Sequence, residues 1–99
     1  MTHPRTVSDA SDQAAPNPVS GRDLAVLIGV LAVLEGQLMV GDVPEHLADR
    51  LRDRFAREGL LDPRASERDF RQAVNDLNHR LRYGLGEYPA PPARLPVPD

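Results

Sequence analysis

Eleven consecutive apolar or small residues, Leu24 to Leu34, constrain this chain more than any other feature. Ahead of them, Ser20-Gly21-Arg22-Asp23 has the Ser-x-x-acid spacing of a capping box, and Gly41-Asp42 offers a stop. Cap, leucine and alanine content and length together predict a helix over 21–40 rather than a buried strand. At about 100° per residue its apolar positions fall into stripes. Leu24, Leu27, Ile28, Leu31, Leu34 and Leu38 share one face, Val26, Val30, Val33 and Val40 form another, and Ala25, Gly29, Ala32 and Gly36 lie between them. A helix that is apolar nearly all round must be covered nearly all round.

The cover available within the chain is small. Eight of the ten prolines fall in the first 18 residues or after Tyr88, so residues 20–86 form the single domain that must supply the core. Residues 1–19 are small, polar and proline-broken and read as a disordered arm. Residues 87–99 read as a Pro-rich disordered tail; its Pro89-Ala90-Pro91-Pro92 and Arg94-Leu95-Pro96-Val97-Pro98 segments have a spacing that aromatic grooves read, although a solvating role is the simpler one.

Two further helices are expected in between. Asp42-Val43-Pro44-Glu45 restarts a helix over 43–58 with Asp42 as cap, and Val43, Leu47, Leu51 and Phe55 as its apolar face up to Gly59. Ser66-Glu67-Arg68-Asp69 opens a third over 67–83, with Phe70, Val74, Leu77 and Leu81 on a narrow seam and Gly84 as the stop. The fold class is therefore all-α, a small three-helix unit with helix one sandwiched between the other two.

Two helices with one apolar stripe each cannot cover a helix that carries three. The remaining face is assigned to a second copy or another protein, with Ala25, Gly29, Ala32, Gly36, Val33 and Val40 as the expected interface, because small side chains let a second backbone approach. Packing of the small stripe against helix two or three is the competing reading. The chain has no cysteine, so neither a disulfide nor a thiolate zinc site is available to support so small a domain, and oligomerisation is left.

Little in the sequence supports chemistry. All 12 basic residues are arginines, so no Schiff-base or P-loop lysine exists, and Ser20 and Ser66 are accounted for as caps. Neither His46 nor His79 sits in a metal-ligand spacing, and Gly84-Leu85-Gly86 reads as helix termination. No catalytic residue, cofactor or metal is expected. Glu35 lies on the same face as Ile28, Leu31 and Leu38, which makes it a candidate for a buried ion pair with an arginine of helix two or three.

Nine arginines stand against eight acids between Glu45 and Tyr83, little excess for a phosphate-binding surface. A helix-turn-helix drawn through Gly59–Ala65 would place Arg68, Arg71, Gln72 and Asn75 as base readers, sparsely. Residues 24–40 reach the lower edge of a membrane-spanning length but contain Glu35 and Gln37 and lack a basic flank. The N-terminus lacks the apolar core of a secretory signal, and a cytoplasmic location is expected. The sequence thus leads to a small non-enzymatic accessory or adaptor protein, a homodimer or partner-bound subunit acting through helix one, with neither nucleic acid nor membrane as the expected partner. The alternative is a small DNA-binding transcriptional regulator or antitoxin-like protein using helices two and three.

Overall fold

The structure, a computed structural model, describes residues 17–91, 96 and 97. The arm expected over residues 1–16 and the tail expected at 92–95, 98 and 99 lie outside the described residues. Three helices follow in order, α1 (Gly21–Met39), α2 (Glu45–Arg57) and α3 (Glu67–Leu85), with no strand among the described residues. The protein is all-α.

Each helix end follows from local chemistry. Ser20 Oγ accepts the Asp23 amide at 3.1 Å, the forward half of a capping box. The box at α3 is complete: Ser66 Oγ accepts from the Asp69 amide at 3.1 Å, and the Asp69 carboxylate accepts from the Ser66 amide at 3.3 Å. Two otherwise orphaned donors are satisfied there. Ser66→Ala is expected to lower stability by about 1 kcal/mol, read as a lower urea midpoint at unchanged slope; an unmoved midpoint would show that the cap is not needed.

Two boundaries differ from the sequence expectation. Asp42 does not cap α2, which starts at Glu45 behind Pro44, with φ −55° and ψ 142°. A residue before proline is driven out of the helical region, so Val43 cannot join the helix. Gly84 does not end α3; the chain stays helical to Leu85, and Gly86 takes the left-handed turn at φ 96°. The two extra residues set Leu85 beside the start of α1, where a Cβ on Gly21 would lie 3.5 Å from Leu85 Cδ1.

The core gathers Leu31, Leu38, Phe55, Phe70, Ala73 and Val74, with Leu34, Val43, Leu51, Leu61, Leu77 and Leu81 packed around them. Phe70 is 1% exposed and its ring meets that of Phe55 edge-on, centroids 5.6 Å apart, while the Arg52 guanidinium lies 5.6 Å from the Phe70 centroid. Arg52 also donates to the Ala65 carbonyl, tying α2 to the loop before α3. On the other side of α3, Asn78 Nδ2 donates to the Ile28 carbonyl at 3.1 Å and Asn75 Nδ2 to Glu35 Oε2 at 2.8 Å. Gly21 with Leu85, Ile28 with Asn78 and Glu35 with Asn75 place α1 antiparallel to α3.

The central helix is therefore α3, not α1. The expected sandwich with helix one in the middle is not formed, because the one large anchor of α2, Phe55, is turned to Phe70 and its Leu47 is left exposed. Nothing from α2 remains to cover the valines of α1.

Candidate functional site

The leucine stripe of α1 faces inward: Ile28, Leu31 and Leu38 are buried, and Leu24 and Leu34 half-buried. Leu27, expected among them, is 45% exposed at the edge of that stripe. The opposite side is open. Val26, Val30, Val33 and Val40 are 63, 56, 68 and 71% exposed, and Ala25, Gly29, Ala32 and Gly36 are exposed between them. Internal packing of the small stripe, the competing reading, does not occur: a Cβ on Gly29 or Gly36 would meet nothing within 4 Å. All six residues of the sequence-derived interface thus lie on one uncovered face. Scattered exposed apolar side chains are ordinary, whereas these form one continuous helix face of valine, alanine and glycine.

The ends of this face are charged unequally. Arg22 lies on it near the start of α1, Asp23 occupies the first turn, and no basic residue is present in the last turn. The C-terminal end of α1, where the macrodipole is negative, is followed by Asp42 and Glu45.

Glu35 sits at the margin between the buried and open sides. It is half-buried, and its described partner is the neutral Asn75 amide rather than the arginine expected from the sequence. Asn75 Oδ1 has no partner of its own among the described residues. Glu35, Met39, Arg71, Asn75 and His79 line a hollow of about 210 Å³ between α1 and α3, which Pro96 and Val97 border. His79 is half-buried, and its Nδ1 pairs with Tyr88 Oη at 2.8 Å.

No known protein family, curated protein or solved structure matches this chain. Among the described residues no helix is long and apolar enough to cross a membrane.

The most informative residues that sequence reasoning missed are Gln72, Asn78 and Val97. Gln72 is 4% exposed and Asn78 5% although both are polar. The Val97 amide donates to Gln72 Oε1 at 2.9 Å, and its carbonyl accepts from Arg68 Nη2 at 3.0 Å. Within the stretch expected as a tail, 87–99, Val97 is buried and Tyr88 is bound to His79.

Proposed function

We propose that this chain is a small non-enzymatic interaction protein, an accessory or adaptor subunit, that pairs with a second copy of itself through the open face of α1. The observation that carries this reading is the uncovered valine, alanine and glycine side of a helix whose other side forms the domain core.

The pattern on that face favours a second copy arranged antiparallel. With the two-fold axis near residue 31, Val33 of each copy lies over Gly29 of the other and Val26 over Gly36, so each of these two valines meets a gap. Arg22 then reaches Val40 and the C-terminal end of the opposite α1, supplying the cation that this helix end lacks within its own chain. A parallel pair would instead set valine against valine, glycine against glycine and Arg22 against Arg22. Such an interface is isologous and closes at two copies.

Orientation is testable because the chain has no cysteine of its own. A single cysteine at Ala32, beside the axis, is expected to oxidise readily to a covalent dimer. One at Arg22 is not, because at 1.5 Å per residue the two copies of position 22 stand ~27 Å apart. Rapid cross-linking at Arg22, or none at either position, would overturn the antiparallel pair.

The DNA-binding alternative has less behind it. Of the arginines it would use, Arg54 pairs with Glu58 at 3.2 Å and Arg82 with Glu87 at 2.9 Å, while Arg68 is bonded to the Val97 carbonyl. Gln72, a base reader in that scheme, is buried.

A further inference from the structure

The flank of α3 beside the hollow between α1 and α3 carries a second grouping of side chains. Arg68 and Gln72 are one helical turn apart, so both side chains project to the same side. Together they take both main-chain polar groups of one residue: Gln72 Oε1 accepts the Val97 amide at 2.9 Å, and Arg68 Nη2 donates to the Val97 carbonyl at 3.0 Å. The Gln72 amide is held for this purpose, since its Nε2 donates to Asp76 Oδ1 at 2.8 Å and its oxygen is thereby turned toward Val97. The Val97 side chain is buried, and Pro96 before it borders the hollow formed by Glu35, Met39, Arg71, Asn75 and His79.

These features are those of a peptide-recognition site. Main-chain hydrogen bonds to both the N–H and the C=O of one residue supply affinity that does not depend on its side chain, and the burial of the Val97 side chain beside them favours an apolar residue at that position. Proline at the preceding position holds the ligand extended and lowers the entropy lost on docking.

We infer that the Arg68–Gln72 flank of α3 is a binding site for an extended Pro-apolar segment of a partner protein, and that residues 96 and 97 occupy it in cis until that segment displaces them. A covalently attached occupant acts at an effective concentration on the order of millimolar, so an incoming peptide must compete with it. Releasing the resident segment should therefore strengthen binding in trans.

The test uses the full chain and a fluorescent peptide with the sequence of residues 93–99, ARLPVPD. Val97→Asp, which evicts the resident side chain, is expected to bind this peptide at least tenfold more tightly than the unaltered chain. Adding Gln72→Ala to Val97→Asp should lower that affinity at least tenfold, with helix content unchanged by circular dichroism. Equal affinity in the unaltered and Val97→Asp chains, or no binding to Val97→Asp, would overturn the site. Hydrogen exchange on the unaltered chain gives a second readout that no substitution can confound. The Val97 amide should be protected and should lose that protection when the peptide saturates the protein; an unprotected amide, or one unmoved by peptide, would also count against it.

Discussion

Val33→Glu is expected to convert the protein from a dimer to a monomer at micromolar concentration while leaving its helix content intact. Val33 is 68% exposed within one chain, so a glutamate there is solvated and disturbs nothing in the domain itself. In the antiparallel pair the same position is buried over Gly29 of the other copy, and the symmetry doubles the effect. Removing two buried valines forfeits roughly 1.5–3 kcal/mol each, before the penalty of an unpaired carboxylate in an apolar contact. The dissociation constant should rise at least about a hundredfold. Gly29→Leu should act similarly by filling the gap that Val33 enters. Gly29→Ala is the informative control, because its Cβ meets nothing within 4 Å and a helix-interior alanine favours the single chain by about 0.8–1 kcal/mol over glycine. Size-exclusion chromatography with urea unfolding separates these effects. A Val33→Glu protein that remains dimeric would remove α1 from the interface.

The other large effect belongs to the core. Phe70→Ala should cost ~3–5 kcal/mol, since the ring is 1% exposed, packs edge-on against Phe55 and carries the Arg52 guanidinium beside it. A domain of this size has about 0.05–0.15 kcal/mol of stability per residue, so the loss removes a large part of the whole and the melting midpoint should fall steeply. Leu60→Ala, at a side chain 42% exposed, should change stability by no more than about 0.5 kcal/mol. Thermal melts followed at 222 nm compare the two; similar midpoints would mean that the Phe55–Phe70 contact does not hold α2 to α3.

The contrast between those positions shows what could be read from the sequence. Phe70, Val74, Leu77 and Leu81 recur at helical spacing, and the Ser66 box lies three residues from its partner Asp69, so α3 was legible from local pattern alone. The open side of α1 was legible for a related reason: its three stripes exceed what two one-striped helices can cover. Boundaries were harder where neighbouring residues compete for the same role. Gly84 and Gly86 can both end a helix, and the choice falls to Gly86 because Leu85 packs by Gly21, some sixty residues away in the chain. Pro44 likewise overrides Asp42 as the start of α2.

The layer order and the α3 peptide site were not legible, because each depends on pairing between distant residues. A binary pattern of apolar and polar positions marks Gln72 and Asn78 as exposed. Asn78 is buried because its amide reaches the Ile28 carbonyl of α1, and Gln72 because Val97 closes over it. Glu35 was recognised as a carboxylate on an inward face, but its described partner proved to be the Asn75 amide, which the charge pattern could not single out. Buried polar groups must be satisfied, yet their sequence does not name the group that satisfies them.

Self-association through α1 is tested most directly by the solution mass of the unaltered full chain, measured by light scattering after size exclusion over a range of micromolar concentrations. A mass of about twice 10.9 kDa, falling toward 10.9 kDa on dilution and held at 10.9 kDa by Val33→Glu, is the result expected of the antiparallel pair. A mass that stays at 10.9 kDa across the whole range, in a chain whose circular dichroism is fully helical, would contradict it.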